Sequence, residues 1–376
     1  MHITIFYKKL LVCIITAITV TTPVMAQRLQ PGYDITEISE LLCVSVRTGA
    51  AATYYSDSNY VAPPARFERV YSSAEMGFKN LWQLWVSSDK KAVISIRGTI
   101  PQKESWLANF FAAMVPAKGK LLLPDSSVFN YQMATNEKAA IHVGWLISAA
   151  YLLKEIMPQI DSCYKAGIKD FFITGHSQGG AIAYLVAAYM QQQKITNSLP
   201  ADILFKTYCT AAPKPGNLYF AYDYEVNSFS GWGFNVVNTT DWVPEVPFSI
   251  QTIKDYNTIN PFTNAKSMIR KQKFPKNLVL KHVYNRLSKP AIKAQKAYEK
   301  YLGKMLQKEI NGLLKGIEVP EFYSSNHYVR TGITIALQPT ADYYQRYKQD
   351  AANAFINHMH HPYIYLINPA LLKKPE

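Results

Sequence analysis

The chain has 376 residues, room for one large domain or two average ones and for a substantial core. Hydrophobic residues make up 48% and charged residues 18%, which excludes a disordered chain, and 17 Gly with 21 Pro exclude collagen-like and low-complexity architectures. The formal net charge of +14 is concentrated, because residues 252–316 hold fifteen Lys and Arg against Asp255, Glu299 and Glu309.

In chain order, Lys8 and Lys9 precede a short apolar run at 10–22, and Pro23-Val24-Met25-Ala26 places small residues before a cut ahead of Gln27. Thirteen apolar residues are too few to span a bilayer of about 30 Å. Residues 1–26 are therefore expected to be a signal peptide, and 27–376 an exported chain, periplasmic or secreted. Cys13 leaves with that segment. Cys43, Cys163 and Cys209 remain, with no CxxC spacing and room for at most one disulfide.

A helix is expected at 34–47, then strands at 78–87 and 91–96 across a Ser88-Asp89-Lys90 turn, and a helix at 138–158. A strand at 170–174 runs into a Gly-bounded turn, and a small-residue helix follows at 181–193. Further strands are expected at 205–211, 234–238 and 329–337. This alternation reads as an α/β fold with a mostly parallel sheet covered on both faces. The compositionally distinct stretch at about 252–326 reads as an insertion. Within it, residues 290–314 set Ala291, Ala294, Tyr298, Tyr301, Leu302, Met305 and Leu306 near helical spacing, with lysines opposite. That is a basic amphipathic helix, serving as a solvated surface, a lid or a contact with anionic membrane.

The chemistry centres on Gly175-His176-Ser177-Gln178-Gly179, a G-x-S-x-G between an apolar strand and an Ala-rich helix. The glycines permit a sharp strand-to-helix turn that lifts the Ser177 hydroxyl above the sheet, beside the Gln178 N–H and the positive helix end. A nucleophilic serine needs a base, and the base an orienting carboxylate. Asp241 follows a strand in Val236-Val237-Asn238-Thr239-Thr240-Asp241-Trp242-Val243-Pro244. Among later histidines, His282 lies in the insertion and His327 precedes a strand, which leaves His358, His360 and His361.

Taken together, these motifs resemble the class 3 lipases, an α/β-hydrolase family. Ile94-Ser95-Ile96-Arg97-Gly98-Thr99 is similar to its Arg-Gly-Thr strand, followed by Trp106 and Asn109, and Ile141-His142-Val143-Gly144-Trp145 to its His-x-Gly helix start. Ala212-Pro213-Lys214-Pro215-Gly216-Asn217 is similar to a family loop, with Lys214 where Arg is usual. The resemblance implies Ser177 as nucleophile, Asp241 as acid, and an oxyanion hole from Thr99 and Gln178. It implies no cofactor or metal. Three histidines compete for the base. His360 fits the motif best, preceding Tyr363 by three and Pro362 by two, with His358 and His361 as alternatives. His142 and His176 read as structural. The expected activity is lipase-type ester hydrolysis, with a lid at 107–123; a soluble or feruloyl-type carboxylesterase and a noncatalytic binder of anionic surfaces are the rivals. The expected partners are an ester substrate and, through the Lys-rich 252–316, an anionic membrane. Nucleic acid is not expected.

Overall fold

The protein is described from a computed structural model covering residues 28–374, so the expected signal peptide lies outside the described residues. A seven-stranded sheet organises it: β1 (Phe67–Ser72), β2 (Trp82–Ser87), β3 (Lys91–Ile96), β4 (Asp170–His176), β5 (Leu204–Thr210), β6 (Gly233–Asn238) and β7 (Ile333–Leu337). These strands lie side by side in chain order. β1, β2 and β3 pair antiparallel, and from β3 to β7 every pair is parallel.

Parallel neighbours require crossovers, and the helices supply them. In chain order the helices are α1 (Ile35–Arg47), which precedes the sheet, α2 (Lys103–Phe110), α3 (Val143–Lys165), α4 (Gln178–Ile195), α5 (Leu218–Asn227), α6 (Ala265–Arg270), α7 (Lys276–Glu299) and α8 (Leu306–Leu313), which lie between its parallel strands, and α9 (Ala341–Arg346) and α10 (His360–Ile367), which follow it. The period-2 alternation of the strands divides the core into two layers. Ile94, Phe171, Ile173 and Phe205 pack with Leu146, Leu153, Ile182 and Leu185 of α3 and α4. Val93, Phe172, Tyr208, Phe234 and Val236 pack on the other face with Leu41 and Leu42 of α1 and Tyr363 and Ile364 of α10. β4 and β6 are buried along their whole length, as strands covered on both faces must be.

Boundaries shift where local chemistry competes. α1 begins at Ile35 because the Asp34 carboxylate accepts from Thr36 N and Glu37 N, at 2.7 and 3.0 Å. The expected helix from 138 starts only at Val143, since Ala140–His142 pairs as a short strand with Met114–Pro116 and Gly216. It then runs through Pro158 to Lys165. The single strand expected at 329–337 is two. Tyr328–Val329 pairs with Gly216–Asn217, Gly332 turns the chain at φ 83°, and β7 joins the main sheet.

Most of residues 107–123, expected as a lid, are core. Ala108, Phe111, Ala112, Ala113, Met114, Val115, Ala117, Leu121 and Leu123 are buried, while Phe110 is exposed. The insertion's helix is longer than expected, because α7 begins fourteen residues before Pro290 and passes through it. A π-helical stretch, Lys300–Met305, links α7 to α8. Ile310, Leu314 and Ile317 anchor the C-terminal part in the larger core layer. Cys43, Cys163 and Cys209 are buried free thiols.

Candidate active site

Ser177 sits where β4 turns into α4, with φ 60° and ψ −129°, a conformation that side chains other than glycine rarely adopt. The turn is held by Ser177 N donating to Thr210 O at 2.9 Å, and by Gly180 N and Ala181 N donating to Ser177 O at 2.9 and 3.1 Å. It closes only because its flanks are bare. A Cβ on Gly175 would stand 2.3 Å from the Gly179 carbonyl carbon, and one on Gly179 would stand 2.2 Å from Ile96 O. The start of α4 leaves no room at Gly175, and the close approach of β3 leaves none at Gly179.

The imidazole that meets this serine is that of His358. Its Nε2 lies 2.8 Å from Ser177 Oγ, and its Nδ1 lies 2.8 Å from Asp241 Oδ2. A carboxylate can only accept, so Nδ1 carries the proton and Nε2 is left to accept the serine hydroxyl. Asp241, 3% exposed, also accepts from Val243 N at 3.0 Å and from the Tyr363 hydroxyl at 2.8 Å. Tyr363 is fully buried; burial first, and then the Asp241 charge, raise its phenol well above the usual value, so it remains a donor.

His360, the expected base, is elsewhere. Its Nε2 contacts Ser45 Oγ at 3.0 Å and its Nδ1 the Tyr54 hydroxyl at 2.9 Å, so both ring nitrogens are committed on the α1 side. Burial, with His361 and His358 adding, depresses its pKa to about 3. The physical reason is local. His358 lies in the turn before α10, with its N–H bonded to Phe355 O, whereas His360 opens the helix and its ring projects the other way. His361 contacts Asn59 O at 2.8 Å, also away from Ser177.

The turn bearing His358 is braced on several sides. Asn357 donates to Gln349 Oε1 and accepts from the Tyr343 hydroxyl, while Asn238 Nδ2 donates to Asn357 O, at 2.8, 2.8 and 3.0 Å. His176 Nε2 donates to His358 O at 2.6 Å, and its Nδ1 meets Thr210 Oγ1 at 2.9 Å. Its ring stacks on His360 at 4.0 Å between centroids. Burial lowers the His176 pKa well below its usual value, with His360 and His358 adding to the effect. His176 thus joins the elbow to the backbone of the turn that carries His358. That link was not legible in the sequence, where His176 and His358 are separated by 182 residues.

Thr99 follows β3 beside the elbow, and Gln178 is the first residue of α4. Asn109 connects them: its Nδ2 donates to Thr99 Oγ1 at 3.0 Å, and its Oδ1 accepts from Gln178 Nε2 at 2.8 Å and Trp145 Nε1 at 3.1 Å. His142 caps α3, accepting from Trp145 N on Nδ1, so its Nε2 donates to Asn109 O at 3.1 Å. Fully buried, it has a pKa pushed down to about 3 and stays neutral.

An aromatic lip surrounds His358. Phe355 lies 5.7 Å from its ring, Trp242 and Trp106 each face Phe355, and Trp106 stacks on Phe110. Phe110 and Trp242 are exposed, so the lip presents apolar surface to solvent next to the half-buried Ser177 and the buried His358 and Asp241. Among the described residues, no group of three or more His, Cys, Asp or Glu converges as a metal-ligand set.

A largely parallel sheet with helices on both faces and a serine on a tight strand-to-helix turn defines the α/β-hydrolase class. Residues 93–251 match the family described as lipase (class 3). It is 27% identical over 162 residues to a secreted mono- and diacylglycerol lipase of Fusarium solani, covering 42% of this chain and 40% of that protein. It is 33% identical over 120 residues to a triacylglycerol lipase of Ricinus communis, covering 30% of this chain and 21% of that protein. The match thus spans less than half the length of either relative. The Lip2 lipase of Yarrowia lipolytica aligns with a TM-score of 0.44 and 18% identity, over 59% of this chain and 78% of that one.

Proposed function

We propose that the protein is an exported hydrolase of lipid carboxylic esters. The observation that carries this reading is the unbroken chain from Ser177 Oγ through His358 to Asp241, opening on an aromatic lip. In this reading Ser177 gives its proton to His358 Nε2 as Oγ bonds to the acyl carbon. Asp241 stabilises the resulting imidazolium, and the Thr99 and Gln178 N–H groups receive the oxyanion. Collapse expels the alcohol, which takes the proton from His358. Water, deprotonated by the same imidazole, then releases the acid and restores Ser177. Asn109 bridges the Thr99 and Gln178 side chains, next to the two backbone donors.

The exposed lip of Phe110 and Trp242 favours acyl chains over small polar esters. Export follows from residues 1–26 as read above, and is in keeping with a secreted relative. The chain after residue 26 acts as one hydrolase domain carrying the insertion, whose Lys-rich surface contacts anionic lipid.

Fluorophosphonate labelling tests the chemistry. The wild type is labelled and Ser177→Ala is not; an unlabelled wild type with native secondary structure overturns the reading. Turnover of a triglyceride series against p-nitrophenyl esters, above and below the solubility limit, tests the substrate class. A lipase gains activity at the interface, whereas a soluble-ester hydrolase does not.

A further inference from the structure

We infer that α7 docks the protein on anionic lipid surfaces by inserting an outward aliphatic stripe while a neighbouring ridge of cations meets the headgroups. This rests on the lipid-ester reading and names the helix and the side chains that would seat the enzyme beside its substrate.

Helix α7 is built inside out. The face it turns to the protein carries Tyr284, Ser288, Gln295 and Tyr298, of which Gln295 and Tyr298 are buried. Its aliphatic residues face solvent, with Val279 59%, Val283 47% and Leu287 75% exposed in one i, i+4, i+8 row. At 100° per residue, Arg286, Lys289, Lys293 and Lys296 with His282 form an adjoining exposed ridge. A helix packed only to satisfy its own core puts the aliphatic row inside. Here that row is left out, bordered by positive charge, which is the pattern of helices lying in a bilayer interface.

The occupant follows from charge. The segment 252–316 has fifteen cations against three acids, so its counterpart is negative. Nucleic acid would use the cations but not the valine–leucine row. A second copy would set cationic ridges against each other. An anionic lipid surface satisfies both, with headgroups for the ridge and acyl chains for the row. The helix is also joined to the site. Through the π-helical stretch it continues into α8, which lies beside α2 with Lys103 Nζ 3.6 Å from Glu309. α2 carries Trp106 and Phe110 of the lip.

The test is co-sedimentation of the full chain with vesicles of phosphatidylglycerol and phosphatidylcholine, or of phosphatidylcholine alone, with soluble short-chain ester turnover measured alongside. The wild type is expected to bind the anionic vesicles and to lose binding as salt rises. R286Q/K289Q/K293Q/K296Q is expected to weaken binding at least hundredfold, at roughly fivefold per cation. V283S/L287S is expected to weaken it at least tenfold at low salt. Both variants should keep wild-type turnover on the soluble ester, which also reports that they fold. Equal binding of the wild type to both vesicle types, or V283S/L287S binding like the wild type, overturns the inference. Soluble-ester turnover without vesicle binding overturns docking alone. Vesicle binding by a wild type that lacks turnover overturns the hydrolase reading and leaves docking standing.

Discussion

Around the elbow, nearly every side chain of β4 and α4 is buried and every polar atom of the Ser177–His358–Asp241 chain has a partner. Along α7, only Gln295 and Tyr298 of twenty-four residues are buried, and aliphatic side chains stand in solvent. The same chain thus follows two rules. In the core, burial and hydrogen bonding determine where each group points. In the insertion, what lies outside the molecule is the better explanation of the pattern, because nothing inside it uses the aliphatic row. Apolar sequence alone does not tell the two apart.

The sharpest way to test the ordered half is to remove the chain's members. Ser177→Ala and His358→Ala should each lower kcat by about 10⁶, and the double variant by no more, as groups acting as a unit do. His360→Gln should retain turnover within about tenfold, since its ring bonds Ser45 and Tyr54 rather than Ser177. Loss of turnover in His360→Gln, with His358→Ala active, would return the base to His360. Asp241→Asn should cost about 10⁴, because the wrong imidazole tautomer then faces the serine.

Acid should break the core before the insertion. His142 and His360 are held neutral by burial, with pKa values pushed down to about 3, and His176 is lowered in the same sense. Their stabilising contribution is complete above the unfolded pKa near 6.5 and is lost as pH falls toward the folded values. Each should remove about 1.4 kcal/mol per pH unit below about 6. Urea midpoints followed from pH 7 to 5 should fall steeply, with a shallower fall in His360→Gln. An unchanged midpoint would mean that these rings are not buried neutral.

The mildest contrast is packing. Ile173→Ala, in the buried β4, should cost 2–5 kcal/mol, about the usual price of a large-to-small core change. Leu287→Ser should stay within about 0.5 kcal/mol, as exposed substitutions do. Thermal melts of the two variants compare the regions directly. A large loss in Leu287→Ser would show that the aliphatic row is packed after all.

The elbow and the acid were legible because their signals are local: bare glycines around one serine, and an aspartate one turn past a strand. The base was not. His358, His360 and His361 have the same chemistry, and the choice among them is made by where α10 begins and by Asn238 and Tyr343 bracing Asn357. Residues 107–123 looked like a lid because an apolar run reads the same whether it covers a site or fills a core. The spacing of Ala291 to Leu306 marks a helix only from residue 290 onward; in the structure Pro290 lies inside α7, and Val279, Val283 and Leu287 belong to the same helix upstream. In the sequence Tyr363 marks only a spacing, whereas in the structure its hydroxyl donates to Asp241.

The backbone of Ser177 carries one more consequence. At φ 60° and ψ −129° the fold by itself would choose glycine there, and holding serine instead costs about 1–3 kcal/mol of strain. Selection for stability alone would drift this position toward Gly, giving a sturdier and inert protein. Ser177→Gly should therefore melt at a higher temperature than the wild type. In the proposed hydrolase, that stability is given up to hold the reactive hydroxyl at the turn.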